Sequence, residues 1–320
     1  MADLLHLVDK PEGWTSHDVV ARLRAILGER RVGHAGTLDP MASGLLIVGE
    51  GRATSLLSFL AMLPKRYLAR MRLGVSTDTQ DRTGSVVEER SALPDIAAVE
   101  AALERFRGRL AQTPPLYSAV KVGGERLYKA ARRGEDVERA ARPVHVYAIS
   151  LVDPPPGAAR PADVHPEVTF DVTVSRGTYV RTLAHDLGEA LGCGAHLVAL
   201  RRTRSGPFRV EDALCPSKEA GQDAGHFRSR AITPERALSF LPRVRLDAAE
   251  SARLRHGVAP VLTGERVERP ASDDPLPPGE TGWPLALLDE EGSLLALAKP
   301  WETQAPGARA SLLRVLGTAA

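Results

Sequence analysis

Residues 33–46 read Gly33-His34-Ala35-Gly36-Thr37-Leu38-Asp39-Pro40-Met41-Ala42-Ser43-Gly44-Leu45-Leu46. The glycines, the proline and the absence of any period up to Gly44 predict a loop set between two core elements. Pro40 fixes its own φ, removes a backbone donor and biases Asp39 toward extended backbone, so the Asp39 carboxylate is held rather than mobile. Gly33 and Gly36 allow tight turns, and Gly44 opens the next segment with no side chain. An Asp-Pro pair by itself commonly starts a turn, so any chemistry at Asp39 must be argued from its neighbours.

Upstream, the apolar run Leu4 to Val8 predicts a strand. Ser16 ahead of Val19, Val20, Leu23, Ile26 and Leu27, with Gly28 behind them, predicts a capped helix. Downstream, Leu45 to Val48 reads as a buried strand and Thr54 to Leu63 as a helix. Tyr67, Ala69, Met71, Leu73 and Val75 alternate with Leu68, Arg70, Arg72 and Gly74, the period of a strand with one buried face. Asp95 to Phe106 predicts a helix, Val144 to Val152 and Val168 to Val174 predict strands, and Leu183, Leu187 and Leu191 have helical spacing. Strands outnumber any regular strand-helix alternation. The expected class is α+β, a mixed and largely antiparallel sheet with flanking helices.

Three stretches read as loops or linkers: 153–166 with its five prolines, 217–230, and 270–284. Beyond Pro242 a short strand (Val244 to Leu246), a helix (Ala248 to Arg255) and two apolar strands (Pro284 to Leu288, Leu294 to Ala298) predict a small β-rich unit. The expected division is 1–240 and 241–320.

At 320 residues and 43% hydrophobic, the chain can build two cores. Cys193 and Cys215 have neither metal-ligand nor disulfide-framework spacing, and no metal is expected. No run of about 18 apolar residues occurs, so no membrane span or signal peptide is expected, and the reading is a cytoplasmic protein. The net charge is only +2, but it is segregated. Seven Lys/Arg face four acids between Lys121 and His145, six Arg face two acids between Arg176 and Arg209, and Ala271 to Glu291 carries six acids and no base. Such segregation suits a basic face along a phosphate backbone, and equally an ordinary mixed surface.

The fourteen residues Gly33 to Leu46 resemble the signature of the TruB family of tRNA pseudouridine-55 synthases, and other segments extend the resemblance in order. Leu7-Val8-Asp9-Lys10-Pro11-Glu12-Gly13-Trp14-Thr15-Ser16 is similar to the family's opening segment, Lys65-Arg66-Tyr67 to its tyrosine motif, and Thr77-Asp78-Thr79-Gln80-Asp81 to the acidic turn that follows. Gly177-Thr178-Tyr179-Val180-Arg181 and Leu200-Arg201-Arg202-Thr203 resemble its last two catalytic motifs. The resemblance covers residues 4 to about 210 and implies the pseudouridine synthase fold.

The same resemblance implies the roles. Asp39 is the nucleophile, attacking C1′ or C6 of the target uridine or otherwise assisting elimination. Arg181 pairs with Asp39, an opposite charge that favours the ionised carboxylate. Tyr67 stacks on the uracil and is a candidate to take the C5 proton. Tyr179 and Leu200 line the apolar part of the pocket, and His34 fills the space of the flipped base. Taken singly, Tyr67 reads as an edge-of-core residue, Arg181 as a surface helix arginine, Leu200 as core and His34 as a turn residue. The reaction needs no cofactor, and no cofactor motif is visible.

The basic segment within 113–143, with Gly123-Gly124-Glu125-Arg126-Leu127-Tyr128, resembles the family's insertion over the tRNA arm, and residues 243–320 resemble a PUA RNA-binding domain. The partner implied is the tRNA T stem-loop, with no obligate protein partner and a monomeric enzyme. Guide-RNA-dependent relatives, a non-catalytic RNA chaperone and a plain hydrolase are the competing classes. The start of the chain near its first motif and the lack of a basic tail favour the stand-alone type.

Overall fold

The strand Lys65–Leu73 buries Lys65, Tyr67, Ala69, Met71 and Leu73 and turns Arg66, Leu68, Arg70 and Arg72 outward, the alternation that a period-two backbone imposes. It is the spine of the molecule, paired antiparallel on both sides. The computed structural model describes residues 3–118, 121–122, 125–127, 133, 137–152, 165–216, 223–269, 282–304 and 307–316. Outside these lie much of the insertion expected within 113–143, most of the 153–166 linker, residues 217–222, and 270–281 of the acidic stretch.

In chain order the strands are β1 (Leu5–Lys10), β2 (Val32–Ala35), β3 (Ala42–Glu50), β4 (Lys65–Leu73), β5 (Val75–Thr77), β6 (Val86–Glu89), β7 (Gly108–Gln112), β8 (Lys121–Val122), β9 (Glu125–Arg126), β10 (Arg142–Leu151), β11 (Glu167–Val174), β12 (Ala195–Ser205) and β13 (Phe208–Arg209). The large sheet runs β1-β3-β12-β4-β11-β10-β7, with β2 on β3 and β13 on β12. Every pairing in it is antiparallel except β3 with β12, where Leu200, Arg201 and Arg202 face Ala42, Ser43 and Gly44. The mixed, largely antiparallel expectation holds.

Helices Ile96–Arg105 and Val180–Ala190 cover the inner face. Val99, Leu103, Leu183 and Leu187 close with Met71, Phe170 and Val172 into one apolar core, each such side chain contributing about 2 kcal/mol by burial. The C-terminal sheet, β14 (Arg243–Arg245), β15 (Leu285–Leu288), β16 (Leu294–Ala298) and β17 (Leu312–Val315), carries the helix Ala248–Arg255. Period two divides β15 between two cores. Leu285 and Leu287 pack within the C-terminal unit, whereas Ala286 and Leu288 pack with Leu5, Leu7, Leu45 and Ile47 of the large sheet.

Several details differ from the sequence expectations. The stretch read as a loop up to Gly44 overlaps β2, which pairs along the far half of β3 from Val32↔Glu50 to Ala35↔Ile47, and β3 begins at Ala42. The expected helix Thr54 to Leu63 is a 3-10 segment, Gly51–Leu56, followed by one turn, Leu57–Leu60, and neither piece has a side-chain cap. The strand expected through Val75 breaks at Gly74, whose φ is +87°. β7 and β12 were not expected as strands. Among the described residues no helix is long and apolar enough to cross a membrane, and no cluster of side chains could hold a metal.

Candidate active site

The hairpin β2–β3 returns through residues 36–41, and this return is fixed from several directions. The Ser16 hydroxyl accepts the Leu38 N–H at 2.9 Å and donates to the Leu38 carbonyl at 3.2 Å. Gly13 N–H donates to Pro40 O (2.8 Å), and Ala42 N–H to Asp39 O (3.0 Å). Beneath the turn the fully buried Lys10 ammonium donates to the carbonyls of Pro11 (3.0 Å) and Trp14 (2.6 Å), and more distantly to Pro40 (3.5 Å). Burial pushes that ammonium down to about 8, against the opposing pull of the Asp39 charge.

Arg202, also buried, donates from Nε to Leu45 O (2.6 Å) and from Nη2 to Gly36 O (3.0 Å), bracing both ends of the loop. Its own backbone lies against Gly44. A Cβ there would stand 2.3 Å from Arg202 O, at a φ of +104°, so the position accepts only glycine.

Asp39 therefore presents its carboxylate from a braced turn. Arg181, in the first turn of the helix Val180–Ala190, places Nε 2.9 Å from Asp39 Oδ2. The Nε–H bond is not aligned on that oxygen, so the contact is an ion pair rather than a directed hydrogen bond. Nη1 donates to Thr79 O and Nη2 to Tyr117 O, each at 3.0 Å, and Nη1 lies 3.4 Å from Asp81 Oδ2. Asp81 in turn accepts from Thr79 Oγ1, Thr83 N–H and Thr83 Oγ1. The guanidinium is 5% exposed and the Asp39 side chain 37%. The cation is thus locked in the wall while its partner carboxylate is open to incoming atoms.

Both residues line a cleft of about 590 Å³ together with Tyr67, Tyr179 and Leu200. Tyr67 and Leu200 come from adjacent strands, β4 and β12, and project from the same face, since Leu200 stands opposite Ala69 and Arg202 opposite Tyr67. Tyr179 immediately precedes the Arg181 helix, and burial, with the nearby Asp39 charge, raises its phenol above the usual range. An apolar and aromatic wall facing an arginine-paired carboxylate is an arrangement that binds a flat, polar-edged ring and offers it a nucleophile.

His34 is the one expected site residue outside the cleft lining. It sits in β2 opposite Val48 and meets His17 edge-on, with ring centroids 5.6 Å apart, and it is His17 that lines the cleft. Burial, aided by the neighbouring positive groups, pushes His34 down to about 4. Sequence reasoning also missed Lys10, Ser16, His17 and Arg202. Lys10 and Ser16 stood in the quoted opening segment, and Arg202 beside Leu200, but nothing in a sequence marks which of two adjacent arginines turns inward.

The basic run Arg176 to Arg209 needs correction as a phosphate-tracking face. Arg181 and Arg202 are buried and engaged inside the protein, and Arg201 makes a bidentate contact with Asp9 at 2.7 and 3.0 Å. Alternation in β12 and the helix period send part of this charge inward.

Residues 24–180 match the N-terminal domain of the TruB family of pseudouridylate synthases, and residues 181–235 match the C-terminal domain of tRNA pseudouridylate synthase B. The tRNA pseudouridine synthase B of Thermobifida fusca is 46% identical over 93% of this chain and 95% of its own length. That of Burkholderia mallei is 43% identical over 92% of each. A solved Cbf5-Nop10-Gar1 complex contains a chain that superposes with a TM-score of 0.70 at 30% identity, over 98% of this chain and 84% of that one. These matches, on this fold, place the chain in the pseudouridylate synthase class, an isomerase. Within that class, the chain belongs to the TruB family.

Proposed function

We propose that this enzyme converts uridine 55 in the T loop of tRNA to pseudouridine, as a stand-alone cytoplasmic monomer that needs neither guide RNA nor cofactor. The observation that carries the reading is the Asp39–Arg181 ion pair in the lining of an aromatic-walled cleft. The relatives named tRNA pseudouridine synthase B support the substrate class. The isomerisation breaks the N1–C1′ bond and forms a C5–C1′ bond, N1 gaining a proton and C5 losing one, with no net redox change. Asp39 acts as nucleophile, at C1′ or at C6, and Arg181 balances its charge.

The target base must leave its stack to reach Asp39, because the carboxylate lies inside the cleft rather than on an open face. Tyr67 stacks on the flipped uracil and takes the C5 proton. Tyr179 and Leu200 close the apolar side. His34, outside the cleft that takes the base, fills the space that the flipped base leaves in the RNA stack. The catalytic unit comprises residues 1–240 with an RNA-binding insertion about 113–143, and residues 241–320 form a PUA-like unit that adds RNA contacts.

The likeness to a chain of the Cbf5-Nop10-Gar1 complex favours a second reading, a synthase that depends on partners. Identity argues for the first, since it is 46% to the Thermobifida fusca protein and 30% to the chain of that complex. The test is tritium release from C5-labelled uridine in an unmodified tRNA transcript, using the purified chain alone. Release that disappears when uridine 55 is replaced by cytidine is the expected result. Release only after a guide RNA is added would overturn the stand-alone reading, and release unaffected by the replacement would overturn the position.

A further inference from the structure

Tyr179 holds the N-cap position of the helix that carries Arg181, and its side chain makes no capping bond. A cap of Ser, Thr, Asp or Asn would satisfy the first helical N–H groups from within the segment, whereas a tyrosine that lines the cleft cannot. Its backbone is extended, with φ −98° and ψ 110°; its carbonyl accepts the Leu183 N–H at 3.0 Å, but its N–H needs a partner outside the helix.

Gln112 supplies that partner. Its side-chain oxygen accepts the Tyr179 N–H at 2.8 Å, and its Nε2 donates to the Tyr179 carbonyl at 3.1 Å. One carboxamide therefore pairs with both polar groups of one residue, as a neighbouring strand would. Gln112 is 4% exposed and ends β7, the edge strand, where it faces Arg142 at the start of β10. It is absent from the cleft lining. Five residues on, the Tyr117 carbonyl accepts from Arg181 Nη2, so one short segment grips the helix start at both Tyr179 and Arg181.

We propose that Gln112 is a positioning residue for the isomerisation: its carboxamide fixes the Tyr179 peptide and thereby sets where the helix start delivers Arg181 to Asp39. This rests on the reading of Asp39 as the nucleophile. Gln112 never meets the uridine. It acts because Arg181 lies only two residues beyond the clamped peptide, and Nε must fall within ion-pair distance of a carboxylate on a different loop. Glutamate at this position has nearly the same shape but cannot donate to the Tyr179 carbonyl, and alanine loses both bonds.

The experiment compares wild type, Gln112→Ala and Gln112→Glu by single-turnover tritium release with enzyme saturating over tRNA, by filter-binding Kd for the same transcript, and by thermal melting. The expected result is a rate per folded enzyme lowered about a hundredfold in both variants, the scale of a misplacement near 1 Å, with Kd moved by less than about threefold because phosphate contacts dominate affinity. A merely structural role would reduce the folded fraction and leave the rate per folded site unchanged, which would overturn the proposal. An unchanged saturated rate with weakened Kd would also overturn it, by making Gln112 an RNA-holding residue. Should Gln112→Ala not fold, the near-isosteric Gln112→Glu decides. Wild-type enzyme that releases no tritium would instead refute the functional reading, an outcome separate from active wild type with equally active variants.

Discussion

Arg181 Nε lies 2.9 Å from Asp39 Oδ2, while the two terminal nitrogens of the same guanidinium donate to the carbonyls of Thr79 and Tyr117. One buried side chain thus ties the helix Val180–Ala190 to three separate segments, and the geometry uses the planar fork that distinguishes arginine from lysine.

Arg181→Lys keeps the charge but cannot meet the carboxylate and both carbonyls at once. The expected outcome is a single-turnover rate lowered about a hundredfold or more with tRNA affinity retained. A rate within a few-fold of wild type would show that charge alone suffices.

Gly44→Ala places a methyl 2.3 Å from the Arg202 carbonyl in a left-handed backbone conformation. All the atoms it meets are backbone atoms of Arg202 rather than a flexible side-chain tip, so β3 and β12 must separate. Urea unfolding should show a loss of about 3–5 kcal/mol, the sum of backbone strain and overpacking. A loss below about 1 kcal/mol would mean that the parallel pairing yields easily.

The motif that carries Asp39 was legible because its chemistry is local: Asp-Pro, flanking glycines and the alternation of β4 are visible in consecutive residues. The α+β class followed from the same alternation. β12 was not legible as a strand, because Arg201, Arg202 and Arg204 interrupt its apolar pattern, and the reasons those charges are tolerated lie far away in sequence, in Asp9 for Arg201 and in the Gly36 and Leu45 carbonyls for Arg202. Lys10 was invisible as a support for the same reason, its contact with Pro40 spanning thirty residues. The role of Gln112 depends on a partner 67 residues away.

At the far edge of the sheet the fully buried Glu50 meets His6 Nε2 at 3.0 Å and Arg228 Nε at 3.1 Å, joining β1 and β3 to the helix Ala224–Ser229. Glu50→Ala leaves the neutral His6 ring without its buried hydrogen-bond partner and Arg228 without its anion, and should cost about 1–3 kcal/mol of stability, measured by urea unfolding. A change below about 1 kcal/mol would show that solvent at the half-exposed Arg228 replaces the contact.

Burial holds three histidines below the usual range: His34 at about 4, and His6 and His196 in the same direction. The unfolded chain takes up protons on these rings near pH 6.5, while the folded chain resists, so stability is present above that pH and is lost as pH falls toward the folded values. The urea midpoint at about pH 5.5 should lie below that at about pH 7.5, and His34→Asn should narrow the gap. Equal midpoints at the two pH values would contradict the assignment of these rings as neutral.

Asp39→Asn removes the charge and the nucleophile while keeping the shape of the braced turn, so it addresses the central claim with least disturbance. Assayed with C5-tritiated tRNA transcript, the variant should bind RNA about as tightly as wild type, since phosphate contacts dominate affinity, and release no tritium above background while wild type runs to completion. Tritium release at a rate comparable to wild type would contradict Asp39 as the group that performs the reaction.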